Sequence, residues 1–337
     1  MLYRPVTQGP LQGLLGWEHA SQWPVTQRLP AHCSNHLSFS LSIVELEIKL
    51  TALPGEPLEP SIVHTAAEDS MKLHTPAETI ELEAHYYDDR DGLLRAARWS
   101  VRARREDHHI VATAKGPAPG VLARCEIETK IDRMPSVGDP LPSPLAEALA
   151  QAGVPLYSWP TLAFKTRVRR VVVQASLSGT TKAELAIDHG EVIADHQRHP
   201  ICELELELKQ GEAMGLLQGA LALADQLQVR PGGRSKAARG LQMLGRLNIP
   251  SGDDPTDCAA LWSRFEDLEE HLREGRHEFL GHYLRVADML TSITALPRLQ
   301  IAQDPLSGLD SPEHAAQLWQ IFAAVQQASG ANSPRTP

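Results

Sequence analysis

The sequence of 337 residues contains only four cysteines, and no two of them form a CxxC pair. Because Cys33, Cys125, Cys202 and Cys258 are scattered, neither a zinc site nor a disulfide framework is predicted. Cys125 and Cys202 stand beside glutamates in alternating segments, which places both thiols on apolar faces. We therefore expect buried free thiols and a cytoplasmic protein, since the cytoplasm keeps thiols reduced.

Long apolar runs are also missing, since no segment reaches the roughly 20 apolar residues of a membrane-spanning helix. The N-terminus has no basic region followed by an apolar run, so no signal peptide is predicted. Basic residues are outnumbered, with 32 Lys and Arg against 42 Asp and Glu and a net charge of -10. This balance argues against nucleic acid as a partner, although it is compatible with a local basic site for a small anion. Neither nucleic acid nor a membrane is an expected partner, and protein partners are unknown.

Strict alternation of polar and apolar residues is the main pattern present, as in SIVELEIKLT at 42–51. A period of two predicts strands with one apolar and one polar face. Eight strands are predicted, at 42–52, 79–88, 97–106, 108–115, 121–131, 161–176, 181–195 and 199–209. Turn sequences such as DRDG, GPAPG and SGTT separate several of them, as expected for antiparallel hairpins.

The remaining segments indicate helices. Short helices are predicted at 61–73 and 144–152, and apolar residues at helical spacing predict another over 212–227. Ser235 is the expected N-cap of a further helix that starts at Lys236.

Three regions result from these patterns. Residues 1–39 are a loose extension whose irregular composition is compatible with disorder. Residues 40–248 form the strand-rich domain. Residues 249–337 form a helical appendage with a frayed tail, in which Asp310 is the expected N-cap of the last helix, with Glu313 completing a capping box.

Charge on the polar faces of the strands is nearly pure in sign. The faces carry Glu45, Glu47 and Lys49; Arg102 and Arg104; Lys115; Arg124, Glu126 and Glu128; Lys165, Arg167 and Arg169; Glu184 and Asp188; and Glu203, Glu205, Glu207 and Lys209. A single strand of this kind usually turns its charges to water. The set as a whole is harder to explain in that way, because like charges close together on a sheet repel each other. Bound counter-ions would relieve the repulsion: divalent cations at the carboxylates and a polyanion at the arginines and lysines.

Eight antiparallel strands can close into a barrel wide enough for a small ligand. Sign segregation favours an α+β fold in which an eight-stranded antiparallel barrel forms a tunnel, with a charged lumen and helices over its apolar outer face. The alternative is a lipocalin-like barrel with an apolar interior and these charges in solvent.

The ordered series of motifs resembles the CYTH superfamily, the triphosphate tunnel metalloenzymes. The ExExK signature is Glu45-Leu-Glu47-Ile-Lys49. It is followed by YYDD, WSVRARRE, TAKG, RCEIETKI, FKTRVRR, AELAIDHGEV, ICELELELKQG and SKAARG. The resemblance covers residues 42–247, and the last two elements are most similar to bacterial inorganic triphosphatases. Such relatives often carry a longer helical domain rich in His, Lys and Arg, for which the acidic appendage here is not a match.

The resemblance implies a tunnel enzyme that uses Mg²⁺ or Mn²⁺ to hydrolyse a small-molecule triphosphate. The implied metal ligands are Glu45, Glu47, Glu126, Glu128, Asp188, Glu203, Glu205 and Glu207. The implied triphosphate-binding residues are Lys49, Arg102, Arg104, Lys115, Lys165, Arg167, Arg169 and Lys236. Glu45, Glu47, Lys49 and Arg104 are the implied catalytic residues.

Three other functions stay open at this point. A class IV-type adenylate cyclase or a thiamine triphosphatase of the same superfamily would share the triphosphate grip. A non-catalytic module that binds polyphosphate would need only the basic half of the lumen, so the acidic residues favour an enzyme.

Overall fold

A computed structural model describes residues 43–56, 58–247, 252–294, 296 and 308–329. The strands in this part of the chain are β1 (Ile43–Ala52), β2 (Lys72–Asp88), β3 (Ser100–Glu106), β4 (His109–Pro117), β5 (Ala123–Ile131), β6 (Thr161–Ser176), β7 (Lys182–Ala194), β8 (Gln197–Gln210) and β9 (Val229–Pro231). The helices are α1 (Pro60–Ser70), α2 (Leu93–Ala96), α3 (Ser143–Gln151), α4 (Ala213–Gln226), α5 (Lys236–Met243), α6 (Cys258–Arg273), α7 (Leu280–Ile293) and α8 (Pro312–Ser329). The extension and the frayed tail predicted at the two ends lie outside the described residues.

The eight long strands form a closed antiparallel barrel. Neighbouring strands pair in the order β5-β4-β3-β2-β6-β7-β8-β1, and β1 pairs again with β5. The first half of β1 pairs with β5 and the second half with β8, with Glu47 opposite Glu207. Closure leaves the barrel without an unpaired edge strand. The predicted fold class is confirmed, and the short strand β9, which pairs with the end of β1, is an addition to it.

The apolar faces of the strands point outward and are covered by helices. Leu46, Ile48 and Leu50 of β1 are buried in one cluster with residues of α1 and α4. On the other side of the barrel, Val101 and Ile127 are buried in a second cluster with residues of α3. Because neighbouring side chains on a strand point in opposite directions, this burial turns the charged residues inward.

The C-terminal helices share the first of these clusters. Leu261 and Phe265 of α6 and Trp319 of α8 belong to the same buried cluster as Ile48 in the barrel wall. The Trp319 Nε1–H donates a hydrogen bond of 2.9 Å to the Val229 carbonyl of β9. The predicted boundary at 248/249 falls where residues 248–251 lie outside the described part of the chain, so it stays a prediction.

The cysteines are free, as expected, but only Cys125 is buried; Cys202 and Cys258 are half-buried, and Cys33 lies outside the described residues. Among the helices of the described residues, none is long and apolar enough to cross a membrane.

The cap of the last helix differs from the prediction. The hydroxyl of Ser311 accepts the hydrogen bond from the His314 N–H, the role expected of Asp310. The Asp310 carboxylate instead pairs with Arg273 of α6. The ion pair with α6 takes Asp310 away from the helix terminus, and the neighbouring Ser311 is an equally good N-cap residue.

We expect Phe265→Ala to lower the free energy of unfolding by about 3–5 kcal/mol, since a buried aromatic side chain leaves a cavity. Because α6 and the barrel wall share one core, the whole protein should unfold at a lower urea concentration in one transition. Circular dichroism and tryptophan fluorescence would measure this, with the more exposed Leu284→Ala as control. A separate early transition confined to the helices would contradict the shared core.

Candidate active site in the barrel lumen

Charged side chains from β1, β3, β4, β5, β7 and β8 converge inside the barrel. They line a continuous cavity of about 1200 Å³ that also extends past the N-terminal part of α5 to α6. The acidic residues expected in the lumen line this cavity or contact cations that line it, namely Glu45, Glu47, Glu126, Glu128, Asp188, Glu203, Glu205 and Glu207. Lys49, Arg102, Arg104 and Lys115 also line it, as the strand pattern predicts, and so does Lys236, which the family resemblance implies. The barrel interior therefore carries charges of both signs, and the lipocalin-like alternative is wrong.

Lys115 is the centre of one group of charges, the Lys115 cluster. Its Nζ lies 2.6 Å from Glu45 Oε2, 3.2 Å from Glu47 Oε2 and 3.2 Å from Glu126 Oε2. Arg102 Nη2 lies 3.5 Å from Glu126 Oε1. Arg104 extends the cluster along β3, because it pairs with both Glu106 and Glu128.

Crowding of carboxylates changes the pKa values in the Lys115 cluster. Burial, followed by the hydrogen bond with Glu126, raises the pKa of Glu45 to about 9, against the opposing charge of Lys115. Burial alone would raise the pKa of Glu126 as well, but the hydrogen bond from Glu45 and the charges of Arg102 and Lys115 lower it overall. One proton is therefore held between two carboxylates, because Lys115 cannot neutralise all of its neighbours.

Lys236 is the centre of a second group, the Lys236 cluster. Its Nζ lies 2.5 Å from Glu203 Oε2, 2.8 Å from Asp188 Oδ2 and 3.2 Å from Glu205 Oε1. Lys49 Nζ lies 3.2 Å from Glu203 Oε2. The side chains of Asp188 and Glu203 are fully buried. Burial opposes their ionisation, but the charge of Lys236 and the other cations outweighs it and lowers the pKa of all three carboxyls.

Arg170 completes the Lys236 cluster and was missed by the sequence analysis. Its Nε lies 2.7 Å from Asp188 Oδ1, and its Nη2 lies 2.7 Å from Glu205 Oε2. The arginine and lysine side chains of β6 that were expected in the lumen are on its outer face instead. They are Lys165, Arg167 and Arg169, of which Arg167 and Arg169 are exposed to solvent.

The prediction for β6 was wrong because this strand carries apolar residues on the face that points into the barrel. Phe164 and Val168 point into the barrel and are buried with Tyr86 and Ile201. Leu241 of α5 packs against this cluster from the end of the barrel. One end of the lumen is therefore apolar and closed by a helix, so the lumen is not charged along its whole length. The sequence does place Arg170 on the same face of the strand as Val168, because residues two positions apart share a face.

Further lumen residues also escaped prediction. Tyr86 stacks on Phe164 with ring centroids 4.6 Å apart, and its hydroxyl accepts a hydrogen bond of 3.4 Å from Arg102. Arg239 of α5 lies 2.7 Å from Glu203 Oε1. Thr113 lines the cavity as well, and so do Arg124 and Glu184, which the strand pattern had placed on the charged faces without a role in the site. Tyr86 and Arg239 lie within quoted motifs, but neither belongs to a run of like charges.

Helix α5 brings Lys236 and Arg239 into the barrel. The predicted N-cap is confirmed, since the Ser235 hydroxyl accepts the hydrogen bond from the Ala238 N–H at 3.2 Å. Gly240 allows close approach to the wall, because a Cβ at this position would lie 2.2 Å from the Phe164 ring. The helix is therefore held by packing at its C-terminal end and by ion pairs at its N-terminal end.

The carboxylates of the lumen suit a hard divalent cation, which prefers oxygen ligands. Asp188, Glu203 and Glu205 each offer an oxygen atom, and these atoms lie within 4.8 Å of one another. Glu47 and Glu207 lie directly opposite each other on β1 and β8, and Glu207 lies opposite Glu184 on β7. Like charges in such a row repel unless a cation lies between them. The donor set therefore fits Mg²⁺ or Mn²⁺.

Comparison with known proteins agrees with the motif series. The family model described as the CYTH domain matches residues 45–241, from the first lumen glutamate to α5. The chain is 25% identical over 257 residues to an inorganic triphosphatase of Haemophilus influenzae, covering 74% of this chain and 67% of the relative.

Two solved structures are similar in part. One is described as a candidate adenylate cyclase of Bacillus halodurans, with a TM-score of 0.35, 15% identity and coverage of 63% of this chain and 95% of that one. The other is a candidate adenylyl cyclase of Hippeastrum, described as having a dominant triphosphatase activity, with a TM-score of 0.34, 19% identity and coverage of 61% and 98%. TM-scores of this size carry no argument about function.

The raised pKa of Glu45 predicts a pH-dependent effect of Glu45→Gln. The pKa of Glu45 is about 9 in the folded state and 4.5 in the unfolded state, so the folded protein binds this proton more tightly. The resulting stabilisation is fully present below pH 4.5 and is lost as the pH rises to about 9. The amide mimics the protonated acid. With chelator present, Glu45→Gln should therefore raise the free energy of unfolding by on the order of 1–3 kcal/mol at pH 9 and change it little at pH 5.

Urea unfolding at the two pH values would measure the difference. The exposed Glu147→Gln on α3 is the control for loss of a surface carboxylate. An equal effect of Glu45→Gln at pH 5 and pH 9 would show that Glu45 is not protonated in the folded state.

Proposed function

Because the chain belongs to the CYTH family, we propose that it is a divalent-cation-dependent hydrolase of inorganic triphosphate or of a compound that carries a triphosphate group. Membership supports an enzyme that acts on triphosphates. The inorganic substrate is favoured because the matched relative from Haemophilus influenzae is an inorganic triphosphatase.

One observation carries the proposal: cationic and acidic side chains pair in two clusters along one continuous cavity of the barrel. The cationic groups in the cavity are Lys49, Arg102, Arg104, Lys115, Arg170 and Lys236. Arginine donates paired hydrogen bonds to phosphate oxygens, and lysine adds positive charge. In the structure these groups pair with the carboxylates, and a triphosphate with its cations would replace part of that pairing.

The reaction we propose is attack of water on a terminal phosphorus. A P–O bond forms with the water oxygen, the bridging P–O bond breaks, and pyrophosphate leaves when inorganic triphosphate is the substrate. The water proton passes to a lumen carboxylate, for which Glu47 and the glutamates of β8 are candidates. Glu45 is a candidate only once a bound cation has displaced the proton that it holds. Phosphoryl transfer depends mainly on positioning and charge stabilisation, which the lumen cations supply.

Charge balance favours the Lys115 side of the lumen for a cation. Five carboxylates, Glu45, Glu47, Glu106, Glu126 and Glu128, face Lys115, Arg102 and Arg104 there. In the Lys236 cluster, three carboxylates already contact four cationic side chains. We propose that Glu45 and Glu47, with Glu207 opposite, hold Mg²⁺ or Mn²⁺. A bound divalent cation would neutralise phosphate oxygens and polarise the P–O bonds.

Phosphate release with Mg²⁺ or Mn²⁺ should be much faster from inorganic triphosphate than from ATP or thiamine triphosphate, and chelation should abolish it. Glu47→Ala and Arg104→Ala should remove activity while circular dichroism stays unchanged. Cyclic AMP and pyrophosphate from ATP would instead indicate a cyclase. Tight triphosphate binding without turnover of any of the three substrates would indicate a binding module.

Neighbouring arginines on β6 provide a matched test of the lumen. Arg170→Ala should lower kcat/KM for triphosphate by about 10²–10³, as loss of other preorganised donors does. Arg169→Ala removes the same side chain one position away, where it is 65% exposed against 18% for Arg170. Its kcat/KM should stay near that of the unchanged protein. Equal losses in the two variants would contradict the assignment of the inner face.

A further inference from the structure

We propose that helix α6 of the C-terminal region positions the lumen lysine Lys236, through the turn at residues 232–233 between β9 and α5. This inference rests on the proposed function for its meaning in catalysis. Helix α6 lies outside the segment that matches the CYTH domain, which ends at residue 241.

Helix α6 holds the turn by ion pairs on both of its sides. Arg230, which precedes the turn, pairs with Glu270 of α6. Arg234, which follows it, pairs with Glu274 at the C-terminal end of α6. Both arginine side chains are nearly buried, so each depends on its partner more than a surface arginine would.

The glycines of the turn allow α6 to approach closely. Gly232 has φ +81° and Gly233 has φ +114°, a backbone conformation that favours glycine. A Cβ on Gly232 would lie 1.8 Å from Glu266 Oε1 of α6. On the other side, the Gly232 N–H donates a 2.9 Å hydrogen bond to the Lys49 carbonyl, and the Thr51 hydroxyl donates one of 2.6 Å to the Gly232 carbonyl. The turn is therefore fixed between α6 and β1.

Arg234 connects α6 directly to α5. Its Nη1 donates a 2.8 Å hydrogen bond to Gln242 Oε1 of α5, and its Nη2 lies 3.1 Å from His271 Nδ1 of α6. One planar guanidinium thus contacts two helices, a geometry that lysine cannot reproduce. A shift of Arg234 would be transmitted to α5 at both its start and its last turn.

The connection from α6 reaches Lys236, which is the first residue of α5 and stands two positions after Arg234. Only 11% of its side chain is exposed, and it contacts three carboxylates of the barrel wall. A small displacement of the start of α5 would separate the ammonium group from these carboxylates and expose it. The role of Glu270, Glu274 and Arg234 is therefore positioning, since none of them belongs to the Lys236 cluster itself.

Chemical labelling of lysines, read by mass spectrometry, tests the connection without relying on activity. In the 337-residue chain, Glu274→Ala should raise the acetylation rate of Lys236 by about tenfold. The substitution removes the charge-assisted hydrogen bond that holds Arg234, and with it the start of α5. Gln242→Ala removes the bond between Arg234 and α5 and should have a similar effect. The exposed Lys182 serves as the internal reference, and Lys115 in the other cluster should label at an unchanged rate.

Kinetics with triphosphate provides the second measurement. Glu274→Ala should lower kcat/KM by about tenfold in the unchanged background and have almost no further effect in a Lys236→Ala background. A general structural role would lower activity by the same factor in both backgrounds. Glu278→Ala is the matched control, since this glutamate pairs with Arg276 and is 62% exposed.

Unchanged labelling of Lys236 in both Glu274→Ala and Gln242→Ala would overturn the inference, whatever the protein hydrolyses. Faster labelling together with no triphosphatase activity in the unchanged protein would support the connection and contradict the proposed function. Arg234→Ala itself is not needed for this test. The Glu274 and Gln242 variants decide the result and leave the buried arginine in place.

Discussion

The structure depends on mutual neutralisation of carboxylates and cations inside a closed barrel. A carboxylate without a partner could not remain ionised in this interior, where burial disfavours charge. The fully buried side chains of Asp188 and Glu203 are tolerated because Lys236 contacts both. Where partners are too few, as at Glu45, a proton is retained. The lumen charges are thus neutralised mainly by one another, and under the proposed function a polyanion and its cations would replace part of this pairing.

Because the charged side chains point into the barrel, the apolar side chains of the strands point outward. With charged groups inside, the apolar residues of the strands need cover, which the helices supply on two sides of the barrel. The C-terminal helices contribute to the same core as the barrel wall. Helix α6 also forms ion pairs with Arg230 and Arg234, on the two sides of the turn before α5. The region beyond the family match therefore contacts the segment that leads into the lumen helix.

Much of the lumen could be predicted from the strands in which polar and apolar residues alternate cleanly. On β1 and β8, charged residues alternate with leucine and isoleucine, so the two faces are unambiguous. The same holds for the arginines of β3 and the glutamates of β5. β6 is the exception, because both of its faces mix charged with apolar residues. An apolar cluster around Phe164 lies inside the barrel at that end, where α5 closes it.

The sequence by itself determined the eight barrel strands, the class of fold and the two signs of charge in the lumen. A period of two specifies two faces, and like charges on one face need counter-charges. Only the tertiary structure decided which face of β6 points inward, which cations neutralise which carboxylates, and that α6 contacts the turn before Lys236. These outcomes depend on contacts between residues far apart in the chain. Barrel closure and helix packing bring such residues together, and no local pattern encodes the distance between them.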